Sequence, residues 1–87
     1  MNYQIDFKPR AIKDLQSIAP KMRERILAGL EKLQDNLSGD VKHLTNFTPE
    51  YRLRVGNYRA LFEIEGDTVV VYRILPRGSV YTRGKHR

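Results

Sequence analysis

Tyr3, Ile5 and Phe7 alternate with Asn2, Gln4 and Asp6, the period of a short half-buried strand. Pro9 suits the first turn of a helix, and Ile12, Leu15 and Ile18 follow at three-residue spacing until Ala19-Pro20 interrupts them. From Pro20 onward Met22, Ile26, Leu30, Leu33 and Leu37 step along one face of a second helix. Its opposite face carries Lys21, Glu24, Arg25, Glu31, Lys32 and Asp35, a mixed and therefore solvated surface, and Ser38-Gly39-Asp40 closes it. Residues 38–50 read as a loop anchored by Leu44 and Phe47. Three strands are expected after it, over 51–55, 58–64 and 68–74, separated by the hairpin signals Gly56-Asn57 and Gly66-Asp67. Pro76 and Gly78 end the last strand and leave a short basic tail. The order β-α-α-β-β-β predicts an α+β fold: a small, mostly antiparallel four-stranded sheet with a helical hairpin on one face and a short C-terminal segment. Residues 1–87 are expected to form a single domain.

The first hairpin signal fixes a register. If Gly56-Asn57 is a two-residue turn, Val55 faces Tyr58, Arg54 faces Arg59, Leu53 faces Ala60 and Arg52 faces Leu61. Tyr51, Leu53, Val55, Tyr58, Ala60 and Phe62 then share an apolar face, and Arg52, Arg54 and Arg59 share the other. Like charges directly opposite each other are destabilising, a cost that a bound anion removes. Glu63 lies on the same face and offers an internal counter-charge instead. A three-residue turn at Glu65-Gly66-Asp67 is expected, setting Arg73 opposite Arg59 as a fourth arginine, because a two-residue turn would send Arg73 toward the helices, a poor place for it.

Charge sharpens this picture. The net charge is +6, but residues 1–50 hold eight Lys/Arg against seven Asp/Glu, while residues 51–87 hold eight against three. Seven of the latter eight are arginine, whose planar fork suits phosphate. The C-terminal part therefore reads as a surface for a polyanion. There is no cysteine, which excludes a disulfide framework, a thiol nucleophile and cysteine-ligated zinc. His43 and His86 are too few for a metal site, and His86 is the penultimate residue of a basic tail. No apolar run approaches the roughly 18 residues of a membrane span, and the N-terminus has no signal-peptide core, so a cytoplasmic protein is expected.

The stretch Tyr51-Arg52-Leu53-Arg54-Val55-Gly56-Asn57-Tyr58-Arg59, the strand after it, and Leu75-Pro76-Arg77-Gly78-Ser79-Val80-Tyr81 resemble the RelE/ParE superfamily of toxins from bacterial toxin–antitoxin pairs, the RelE branch most. The resemblance runs over essentially the whole chain. It implies a ribosome-dependent, metal-independent endoribonuclease (an mRNA interferase) that cuts messenger RNA in the A site and so inhibits translation, with no cofactor. By that resemblance Arg59 binds and stabilises the scissile phosphate, Arg77 assists the leaving oxygen, and Tyr81 stacks on or orients the base. Arg52, Arg54, Arg73 and Arg83 complete the expected RNA-binding set. Arg52 and Arg54 stand where the best-known member has lysines, and an arginine is too weak an acid to serve readily as a general base. Tyr81, Glu63 or ribosomal RNA could take that role.

The resemblance also implies partners: a cognate RelB-like antitoxin, the ribosome and its messenger RNA, and operator DNA only through the antitoxin. Two other functions compete with the ribonuclease. A ParE-like inhibitor of DNA gyrase shares the fold without cutting RNA, and a plain nucleic-acid-binding module satisfies the charge alone.

Overall fold

A computed structural model of the chain describes residues 2–78. Strand β1 (Gln4–Phe7) leads into helix α1 (Pro9–Gln16) and helix α2 (Pro20–Leu33). Strands β2 (Val41–His43), β3 (Tyr51–Val55), β4 (Tyr58–Glu65) and β5 (Thr68–Pro76) follow. The sheet runs β1-β5-β4-β3-β2, with β1 parallel to β5 and every other pairing antiparallel. The α+β class is as expected, and the sheet has a fifth strand. β2 lies within the stretch read as a loop, because three residues are too few to establish an alternation in sequence.

Each helix begins on a proline, which fits the first turn because its missing N–H has no intrahelical acceptor there. The end of α1 and the turn after it are capped from the next helix. Arg23 Nε donates to Leu15 O at 2.9 Å and its Nη2 to Ile18 O at 2.9 Å. Ala11 and Leu15 of α1, with Ile18 just beyond its end, face the core, while Ile12, expected with them, is exposed. Steps of four and three follow the helical period, whereas repeated steps of three drift off it. Helix α2 stops at Leu33, short of the expected end, because Asn36 and Leu37 turn into left-handed backbone with φ of 56° and 59°. Leu37 nevertheless packs against the core. Such a conformation is costly for a branched side chain, about 1 kcal/mol or more, so the burial of Leu37 helps to offset it.

The core lies between the helices and one face of the sheet. Ile26, Leu30 and Leu33 of α2 meet Leu53, Ala60, Phe62, Val69, Val71 and Ile74. All six residues assigned to the apolar face of the hairpin join this cluster. Close approach is built in at Gly29, where an added Cβ would lie 2.9 Å from Val55 Cγ2. Gly56 and Gly66 open both hairpin turns with φ of 57° and 63°, glycine first as in a type II′ turn.

The β4–β5 pairing corrects the expectation for Arg73. The turn is the two-residue form, with Glu65 opposite Thr68. Phe62 pairs with Val71 but Leu61 pairs with Arg73, so Tyr72 is the extra residue of a β-bulge. Arg59 therefore faces Leu75, not Arg73. The bulge shifts Arg73 by one register position and keeps it off the helix-facing row, where a two-residue turn alone would have put it.

Candidate nucleic-acid interface

The face of the sheet away from the main core carries a smaller cluster of Leu44, Leu61 and Leu75, with Phe47 packed on it. Leu44 and Phe47 anchor the β2–β3 connection there, as the sequence suggests. That connection is closed by a bond from Leu44 N to Glu50 O at 2.7 Å and tied to the sheet by Glu50 N donating to Glu63 Oε2 at 2.9 Å. Glu63 thus fastens the loop. On the opposite face His43 packs edge-on against Tyr51 at 4.9 Å and lies 3.7 Å from Glu50 Oε1.

Beside this cluster stand the arginines of the first hairpin. Arg54 faces Arg59 and Arg52 faces Leu61, the register that the Gly56-Asn57 turn demands. Their environments differ sharply. Arg59 is 5% exposed, the one buried charged residue of the described chain, and its Nη1 donates to Gly56 O at 3.3 Å and Tyr58 O at 3.2 Å. Burial of a guanidinium is tolerable only with its donors engaged. Arg52 has a side chain 14% exposed, and its Nη1 donates to Asp40 O at 2.9 Å and Asp40 Oδ1 at 3.1 Å. Arg52 Nε is buried and reaches no acceptor among the described residues. Arg54 is exposed, with Nε 4.0 Å from Asp40 Oδ2. Lys42 of β2 pairs with Arg52 across the strands and extends the cationic row.

Arg77 is exposed and follows β5 directly, its backbone N donating to Asn57 O at 2.7 Å. The β4–β5 ladder thereby continues to the hairpin turn and brings Arg77 alongside the strand that carries Arg59. Arg73 is drawn elsewhere. Its Nε donates to Asp14 Oδ2 at 2.8 Å and its Nη2 to Asp14 Oδ1 at 3.2 Å. Tyr81, Arg83 and His86 lie outside the described residues.

Three residues that hold or extend these arginines are not singled out for it by the sequence: Asp40 reads only as part of a helix stop, Lys42 lies in a segment too short for periodicity, and Asp14 has no pattern of its own. Strand pairing and helix docking bring them to the arginines. What results is a two-layer module with a cationic sheet surface, suited to a phosphate chain, at one end of its central hairpin. Among the described residues no helix is long and apolar enough to cross a membrane.

Similarity in sequence and fold identifies the class, the small toxins of type II toxin–antitoxin systems. Residues 5–81 match the family described as the ParE toxin of type II toxin-antitoxin system, parDE. Toxin RelE3 of Methanocaldococcus jannaschii is 36% identical over 80 residues, covering 86% of this chain and 91% of the relative. The RelB-RelE antitoxin-toxin complex from Methanococcus jannaschii matches with a TM-score of 0.74 and 35% identity, over 90% of this chain and 96% of that one. The archaeal RelE-RelB complex from Pyrococcus horikoshii matches with a TM-score of 0.71 and 25% identity, over 90% and 98%. The chain belongs to the RelE/ParE superfamily of toxins, and its similarities place it with the RelE branch.

Proposed function

We propose that this protein is a ribosome-dependent endoribonuclease that cleaves messenger RNA in the A site and thereby inhibits translation. The observation that carries this reading is the convergence of Arg52, Arg54 and Arg59 on one sheet surface, with Arg77 brought to the same hairpin by the bond from its backbone to Asn57. The similarity to RelE toxins supports it.

In this chemistry the 2′-oxygen of a nucleotide attacks the adjacent phosphorus and the bond to the next 5′-oxygen breaks. The products are a 2′,3′-cyclic phosphate and a 5′-hydroxyl. The proton lost by the 2′-hydroxyl goes to a base, and the departing 5′-oxygen gains one. Charge builds on the phosphorane oxygens, where Arg59 stabilises it, while Arg77 steadies the leaving oxygen. Arg52 and Arg54 hold the flanking backbone, and Tyr81 orients a base by stacking. Arg83 adds a further backbone contact. Neither arginine of β3 is a practical base, so the base is Tyr81, Glu63 or a group of the ribosome. Glu63 already accepts from Glu50 N, which argues against it. Because Arg59 is nearly sealed from solvent, productive binding requires its surroundings to yield. The protein acts in the cytoplasm without a cofactor and is neutralised by a RelB-like antitoxin, through which alone it reaches operator DNA.

Primer extension on messenger RNA held in the A site of stalled ribosomes, beside the same RNA free in solution, tests this. Cuts confined to the A-site codon on ribosomes are expected. Cuts on free RNA would mean a ribonuclease with its own complete acid–base set. The match to the ParE description favours a second reading, inhibition of DNA gyrase. With no cut in either sample, loss of supercoiling activity in a gyrase assay would establish that alternative.

A further inference from the structure

Asp40 stands one residue before the Val41–Leu53 pair, where β2 begins. Its carbonyl accepts from Arg54 N at 3.0 Å and from Arg52 Nη1 at 2.9 Å. Its carboxylate reaches the same two residues, Oδ1 at 3.1 Å from Arg52 Nη1 and Oδ2 at 4.0 Å from Arg54 Nε. The backbone contacts hold the strand and the Arg52 head in place. The carboxylate is a separate matter, an anion set between two guanidinium groups on the cationic surface.

We propose that the Asp40 carboxylate occupies the place that an RNA phosphodiester takes between Arg52 and Arg54, so that RNA displaces it and Asp40 sets the affinity of this surface. The inference rests on the RNA-cleavage reading for the nature of the ligand. Four observations carry it. A phosphodiester presents two non-bridging oxygens to guanidinium donors much as a carboxylate does. The Asp40 side chain is 55% exposed and can swing into water, and its carbonyl still holds Arg52 when it does. Its reach to Arg54 is loose at 4.0 Å, and Arg52 Nε is buried with no acceptor among the described residues, so Asp40 satisfies neither guanidinium fully. Lastly, Arg52 and Arg54 share this one carboxylate, so the pair keeps a net positive charge and stays receptive to an anion.

Asp40→Asn tests this directly, because the amide keeps the size of the side chain and the backbone contacts and removes only the charge. The readout is anisotropy of a single-stranded RNA oligonucleotide, 2′-O-methylated so that it cannot be cleaved, titrated with the full chain between about 50 and 200 mM salt. The expected result is binding about three- to fivefold tighter than wild type, as for one exposed charge pair removed. The slope of log K against log salt should steepen by less than about 0.7, the increment per phosphate, because in the wild type the carboxylate that RNA frees takes back a cation and cancels part of the counterion release. Both changes should vanish when Arg52 and Arg54 are both replaced by Gln. Unchanged affinity and slope in a variant with the wild-type urea midpoint would overturn the proposal. So would weaker binding with a lowered midpoint, which would make Asp40 a structural pin alone. Wild-type protein that binds the oligonucleotide without salt dependence would instead defeat the reading of this face as an RNA surface, an outcome distinct from the other two.

Discussion

Asp14 of α1 holds the end of β5 through Arg73, accepting from Arg73 Nε at 2.8 Å and from the Ile74 backbone N at 2.9 Å. β1 pairs with β5 only as far as Val71, so the next stretch of that strand edge has no strand partner among the described residues. Asp14 supplies the acceptor that a neighbouring strand would have supplied. The bulge at Tyr72 sets Arg73 within reach of the same carboxylate. An arginine that composition alone assigns to a polyanion surface is thereby joined to a structural clamp.

Asp14→Ala should therefore destabilise the fold. Both partners are largely buried, and the substitution leaves a guanidinium and a backbone N–H without their acceptor. A loss of about 2–3 kcal/mol is expected in urea unfolding. A change below about 0.5 kcal/mol, the range of ordinary surface substitutions, would show that solvent replaces the clamp.

Arg59→Ala should affect two quantities at once. If Arg59 stabilises the transition state, ribosome-dependent cleavage falls by about 10²–10³-fold. Its burial and its bonds to Gly56 O and Tyr58 O add a stability loss of about 1–2 kcal/mol. Cleavage should thus be compared at a temperature where both proteins are fully folded. Retention of parental cleavage by folded Arg59→Ala would remove it from the site.

Arg77→Ala separates chemistry from folding. The side chain is exposed and the contact that places the residue runs through its backbone, which alanine keeps. The unfolding midpoint should move within the equivalent of about 0.5 kcal/mol. Cleavage should still fall by about 10²–10³-fold, as for loss of a group that acts on the transition state.

Gly29→Ala sets helix propensity against packing. Alanine in place of glycine within a helix is worth about 1 kcal/mol. Here the new methyl would lie 2.9 Å from Val55 Cγ2, and overpacking of this kind costs about 1–3 kcal/mol. A net loss of about 1 kcal/mol is expected in thermal or urea unfolding. In a Val55→Ala background the clash is relieved, so the same substitution should become stabilising. A stabilising effect in the wild-type background would mean that α2 can shift away from β3.

Much of this molecule is legible along the chain because it depends on neighbours in sequence. The Gly56-Asn57 turn dictates which residues of β3 and β4 face one another, so the opposition of Arg54 and Arg59 and the apolar row of six follow from a local rule. The period of α2 marks Ile26, Leu30 and Leu33 as its inner face for the same reason. Contacts distant in sequence leave no such trace. The bulge at Tyr72 answers to the docking of α1, 59 positions before Arg73. The strand around Lys42 exists because β3 offers it an edge, and Asp40 meets Arg52 and Arg54 only once that edge is paired. Which arginines could share a surface was written in the spacing of one hairpin. Which of them are buried, clamped or held by a carboxylate was decided by packing, since burial and charge pairing depend on elements that meet only in three dimensions.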